Sequence, residues 1–165
     1  MKKIISGIAA AAAVLAAPMA FAQTCSAPGG PVTTSPSSFN STCTATDEFN
    51  SICAGSVTAI GTSAVYAVQV GAVNNFQITV TPSVNTYDHA IFLIGPGSCA
   101  QTTPCVADAD NAGPGAAEVL SPAANIPTGT YYLVIDSTAA ATGCVPSSVN
   151  FTGTLPVSLQ NFSVE

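Results

Sequence analysis

Few residues in this chain are able to do chemistry, and their spacing limits what they can do together. The single histidine, His89, follows Asp88 in a sequence rich in serine, a combination that invites a nucleophilic hydrolase. A triad needs a carboxylate on one imidazole nitrogen and the hydroxyl nucleophile on the other, whereas adjacent residues of a strand point to opposite faces. Asp88 is therefore badly placed to orient His89, no G-x-S-x-G elbow is present, and His89 is expected at the surface or at a strand edge. Glycoside hydrolysis needs two carboxyl groups facing each other across a cleft. Asp108 and Asp110 are instead neighbours in a glycine-containing loop, and the chain has no tryptophan to form a sugar platform. The residues point away from catalysis.

The carboxylates fit a cation better. Lys2 and Lys3 are the only basic side chains, against eight Asp and Glu, so beyond position 3 no carboxylate has a lysine or arginine to pair with. Each must be solvated, hydrogen-bonded or neutralised by a metal ion. Asp108-x-Asp110-Asn111 offers alternate oxygen ligands in a loop flexible enough for calcium, although it lacks the twelfth-position glutamate of an EF-hand. Asp88, Asp47 and Glu48 are the candidates to complete the shell. The same lack of Lys and Arg excludes nucleic acid as a partner, because affinity for phosphates rests on those side chains, and it excludes anionic membrane surfaces for the same reason.

Six cysteines, Cys25, Cys43, Cys53, Cys99, Cys105 and Cys144, form an even set that suits three disulfides in an oxidising compartment. Sequence leaves many connectivities open. Local spacing favours Cys43 with Cys53 and Cys99 with Cys105, leaving Cys25 for Cys144. A zinc site is not expected, since paired C-x-x-C knuckles are missing and the histidine stands alone. An oxidising destination agrees with residues 1–22, where two lysines, an apolar run from Ile4 to Ala17 and the Ala20-Phe21-Ala22 triplet read as a secretory signal. That run, roughly 21 Å long as a helix, falls short of a ~30 Å bilayer core, and Ala22-Gln23-Thr24 before Cys25 is not a lipoprotein box. The product is expected outside the cell or at its surface, without membrane insertion.

The elements that must position these residues read as strands. Residues 23–56, rich in Ser, Thr, Pro and Gly, are expected as an arm tied down by disulfides, and 57–165 as one sandwich domain. Short runs rich in Val, Ile, Phe, Tyr and Thr cover 63–70, 75–81, 89–94, 117–121, 130–136 and 150–159, punctuated by glycine and proline. Phe76-Gln77-Ile78-Thr79-Val80-Thr81 alternates, as a sheet with one wet face requires. Ala90–Ile94 and Tyr131–Ile135 are continuously apolar and are expected as central strands covered on both faces. The fold class is all-β, a jelly-roll-like antiparallel sandwich stapled by disulfides.

Four stretches carry a family resemblance. Tyr87-Asp88-His89-Ala90-Ile91-Phe92-Leu93-Ile94, the acidic loop 107–113, Glu118-Val119-Leu120 with Ile126-Pro127-Thr128-Gly129-Thr130-Tyr131-Tyr132 through Asp136, and Gly143 before Phe151–Leu155 together resemble bacterial pre-peptidase C-terminal domains over roughly residues 57–159. That resemblance implies a secreted, non-catalytic β-sandwich of the collagen-binding-domain type. It also implies calcium clamping an acidic amino-terminal segment, for which Asp47 and Glu48 are similarly placed. The implied function is binding to an extracellular protein or polysaccharide. The alternative is a self-assembling homopolymer. Charged residues are only 6 % of the chain against about 25 % in an average domain, and Ser158–Glu165 is a strand-like tail suited to β-strand addition.

Overall fold

The computed structural model describes residues 23–42, 47–53, 57–58, 61–137 and 145–155. The expected signal, the tail Ser158–Glu165, Cys43 and Cys144 lie outside them. Eleven strands follow in chain order: β1 Gly29–Val32, β2 Ser37–Ser41, β3 Ser51–Ile52, β4 Val57–Thr58, β5 Ala64–Val70, β6 Asn75–Pro82, β7 His89–Ile94, β8 Cys105–Ala109, β9 Glu118–Leu120, β10 Gly129–Ser137 and β11 Ser147–Thr154. They build a five-stranded sheet, β1-β5-β10-β7-β8, facing a four-stranded sheet, β2-β11-β6-β9, with β3 and β4 as a small separate pair. All pairings are antiparallel except β1 with β5. The chain is an all-β sandwich, as its strand periodicity requires.

The two periodicities have separate structural causes. Alternating β6 buries Phe76, Ile78 and Val80 against the five-stranded sheet and leaves Asn75 and Gln77 in water. Continuously apolar β7 and β10 lie in the middle of their sheet and are covered twice. Ile91, Leu93, Leu133 and Ile135 join the inter-sheet core, while Ala90, Phe92, Ile94 and Val134 face outward into a second cluster under Phe49 and Ile52. Each such buried side chain is worth about 1.5–3 kcal/mol relative to exposure, so the segment 47–53 acts as a lid that makes the outer face of β7 and β10 part of the interior.

Disulfides fasten that lid, and their pairing corrects the expectation from spacing. Cys25 is bonded to Cys99 across 74 residues and Cys53 to Cys105 across 52. Neither Cys43–Cys53, Cys99–Cys105 nor Cys25–Cys144 forms. Cys105 opens β8 beside Ile94, and residue 23 hydrogen-bonds Val65 of β5, which carries Cys25 over the outer face toward the 97–103 loop. All four sulfurs pack on the second cluster.

The segment expected as an arm also does more than hang from a disulfide. It contributes β1 to one sheet and β2 to the other, with Phe39 ringed by Tyr66 and Phe151 at centroid distances of 4.7 and 6.3 Å.

Candidate functional site

His89 is buried, not at the surface or a strand edge as its sequence context suggested. As the first residue of β7 it points into the sandwich, is 2 % exposed, and its Nε2 shares a 2.8 Å hydrogen bond with Ser147 Oγ of β11. Its Nδ1 has no partner, and Tyr87 packs edge-on at 4.9 Å. Burial lowers its pKa to about 4, so the ring is neutral at physiological pH. Among the described residues no carboxylate hydrogen-bonds it, and through Ser147 the histidine joins one sheet to the other.

Asp136 was not singled out by sequence reasoning, yet it is the most deeply buried carboxylate described. It sits in β10 at 0 % exposure, and its oxygens accept from Gly61 N–H at 3.1 Å, Ser137 N–H at 2.6 Å and Ser63 Oγ–H at 2.6 Å. Burial raises its pKa to about 6, opposed by those three donors and reinforced by the charge of Asp47. The donors replace the missing cation. Asp47 thus acts on Asp136, and Glu48 accepts from the Cys25 N–H at 2.6 Å. Both carboxylates belong to the lid and its disulfide-bonded neighbour.

Loop 108–112 is organised by a second residue that sequence had placed only in a strand. Glu118, buried at the start of β9, accepts from Asn111 N–H at 3.2 Å and Ala112 N–H at 2.7 Å. Gly115 holds the following turn against Tyr87 O at 2.9 Å. At φ +80° a Cβ there would lie 2.5 Å from Asn85 backbone, a fit that needs glycine. Asp108 is the penultimate residue of β8, exposed, opposite Phe92. Burial first, then the charges of Asp88, Glu118 and Asp108, hold the Asp110 carboxyl above the usual carboxylate range. Asp88 Oδ1 is itself buried without a partner. The structure therefore brings Asp88, Asp108 and Asp110 into one acidic neighbourhood, with Glu118 added and Asp47 and Glu48 engaged elsewhere. Among the described residues no three His, Cys, Asp or Glu side chains converge closely enough to hold a metal ion.

Two surfaces stand apart from these groups. A groove of about 390 Å³ runs between β1 and β2, floored by Phe39 and Tyr66 and edged by Pro31, Thr34 and Ser37. Ser37 Oγ is buried there without a partner. The other is the outer face of the four-stranded sheet, which ends in a depression of about 290 Å³ between Pro82 and Pro146.

No protein-family model matches the chain, and no curated protein matches it. Among solved structures it is similar to a family 6 carbohydrate-binding module from Clostridium cellulolyticum in complex with xylose. The match covers 73 % of this chain and 92 % of that one, with 17 % identity and a TM-score of 0.32. A superposition that loose carries neither fold nor ligand across.

Proposed function

We propose that this chain is a non-catalytic domain that works outside the cell by attaching to a protein or polysaccharide surface. The observation behind the reading is how its reactive groups are used. The imidazole of His89 is sealed on Ser147, the Asp136 carboxylate is saturated by three donors, and four cysteines are oxidised. Much of what faces outward is hydroxyl, amide and carboxylate, with Val73, Val84 and Val119 among the exposed apolar side chains, a surface equipped to recognise. The two disulfides suit an oxidising location, and no helix among the described residues is long and apolar enough to cross a membrane. The test is retention of the purified protein on immobilised collagen and on polysaccharide matrices, with glycoside and peptide turnover assayed in parallel. Specific retention without turnover is expected. Turnover that disappears in Asp108→Asn or Asp110→Asn, both exposed positions, would overturn the reading.

Calcium belongs to the same proposal. Asp88, Glu118 and Asp108 each repel charge on Asp110 with no Lys or Arg among the described residues to offset them, and a divalent ion seated by Asp108, Asp110 and Asn111 would relieve this. A ligand that binds only the folded state raises stability, so the melting midpoint should rise between chelator and millimolar calcium. An unchanged midpoint overturns the calcium site.

A second reading, a self-assembling subunit joined by β-strand addition, is favoured by the β1–β2 groove, which lies between two edge strands and keeps Ser37 Oγ unpartnered. An edge of this kind accepts a strand from another chain.

A further inference from the structure

We propose that the outer face of the four-stranded sheet is the docking surface for a neutral polysaccharide chain, a step that rests on the binding reading above and names its ligand class and site. Alternation in β2, β11 and β6 sends every second side chain to this face, and the strand registers set them in ranks. Asn40, Ser148 and Thr81 form one rank. Ser38, Asn150 and Thr79 form the next, which continues to half-exposed Val119 on β9. Thr152 and Gln77 make the third. Neighbours stand about 4.8 Å apart across the strands and about 6.8 Å along them, so the face is a regular lattice of hydroxyl and amide groups with Val119 at its β9 edge.

Three properties of the lattice select a neutral sugar polymer. First, it carries no charge. The described carboxylates lie elsewhere: Asp88, Asp108, Asp110 and Glu118 around the 108–112 loop, and Asp47, Glu48 and Asp136 on the lid side of the other sheet. A charged ligand would be desolvated here without a counter-charge, which is costly, whereas a sugar hydroxyl is both donor and acceptor and matches Ser, Thr and Asn groups one for one. Second, the capacity is unspent. Among the described residues only Gln77 of these ranks makes a side-chain hydrogen bond within the protein, to Ser121 at 3.1 Å on the exposed rim. Third, the first rank opens into the depression beside Pro146, whose exposed ring offers apolar contact for the C–H face of a pyranose, the mixture of apolar wall and few polar groups that ligand sites use.

Affinity electrophoresis of the mature protein in gels containing neutral glucan, xylan or mannan, or anionic polygalacturonate, tests this, with mobility referenced to a polysaccharide-free gel. We expect retardation by at least one neutral polymer and none by the anionic one. Retention on the matching insoluble matrix should persist in about 1 M salt, where the Debye length is ~3 Å. Asn150→Lys and Thr79→Lys, in the middle of the lattice, should each weaken retardation at least tenfold with an unchanged melting midpoint, while Ala100→Lys, exposed away from this face, should not. Retardation that survives both lattice variants, or that Ala100→Lys abolishes equally, overturns the face and leaves the binding reading standing. No retardation by any neutral polymer overturns the sugar assignment, and if immobilised collagen also fails to retain the protein the binding reading falls with it. Dimers that disappear in Asn150→Lys would assign the face to a second copy and overturn the proposal.

Discussion

Asp136 and His89 occupy successive register positions of β10 and β7, with Asp136 opposite Ala90 and Ser137 opposite His89, and they titrate in opposite senses. Asp136 has its pKa raised from 3.8 to about 6. Its folded state prefers the proton, so its contribution to stability is fully present below pH 3.8 and is lost as pH rises through about 6. His89 has its pKa lowered from 6.5 to about 4, so its contribution is present above pH 6.5 and is lost as pH falls through about 4. Between about pH 4 and 6 the two slopes offset each other. Asp136→Asn, which keeps an oxygen for the Gly61 and Ser137 N–H groups, should therefore gain stability relative to wild type as pH rises through that window. Urea midpoints at pH 4, 5 and 6 check this, and parallel curves for the two proteins would contradict it. The Asp136 environment had a trace in the sequence, because a carboxylate ending the apolar run Tyr131–Ile135 in a chain with no Arg or Lys beyond position 3 has neutral donors as its available protein partners. The donors themselves, Gly61 and Ser63, lie over 70 residues away and carried no signal of their role. His89 failed as a surface expectation because the serine that satisfies it, Ser147, arrives from β11.

At the level of elements, the lid explains why the disulfides run as they do. Segment 47–53 and the two-residue pair β3–β4 are too short to be stable alone. Segment 47–53 gains stability by covering Phe92, Ile94 and Val134 with Phe49 and Ile52, and Cys53–Cys105 holds it there, while the Cys25 N–H, beside the Cys25–Cys99 bridge, anchors Glu48. Replacing Cys53 and Cys105 together by serine should lower unfolding stability by about 2–4 kcal/mol, read as a reduced denaturant midpoint. An unchanged midpoint would mean that the lid needs no fastening. The remaining cysteines flank one register pair in sequence, Cys43 two positions after Ser41 at the end of β2 and Cys144 three before Ser147 at the start of β11, so non-reducing peptide mapping is expected to recover Cys43–Cys144 as the third bridge. A free thiol at either position contradicts this. Strands β5, β6, β7, β9 and β10 were legible from periodicity and turn residues. β8 was not, because Cys105–Ala109 is short, has Val106 as its one β-branched residue, and its acidic end reads as a loop. It is a strand because β7 offers it an unpaired edge.

For the molecule as a whole, the open question is whether it acts singly or as a polymer, and the carboxyl-terminal tail separates the two. β11 already pairs with both β2 and β6, so the four-stranded sheet is built without Leu159–Glu165. Deleting those residues should leave a folded protein whose melting midpoint is unchanged. If self-association by strand addition operates, size-exclusion chromatography of the full-length chain should show polymers that the deletion abolishes. A marked fall in the melting midpoint of the truncated protein would instead assign the tail to its own sandwich. What the sequence by itself determined was everything set by local periodicity and composition: an all-β class, central strands at 89–94 and 130–136, a disulfide-bonded character, and carboxylates without cationic partners. Only the tertiary structure decided which cysteines meet, that His89 is interior, that Glu118 rather than Asp47 or Glu48 organises the acidic loop, and that the polar residues of β2, β6 and β11 share one uncharged face. Those facts depend on contacts between residues tens of positions apart, brought together by sheet order and register. A pattern of period two states which side of its own strand a residue takes, and sheet order alone states which other strands stand beside it.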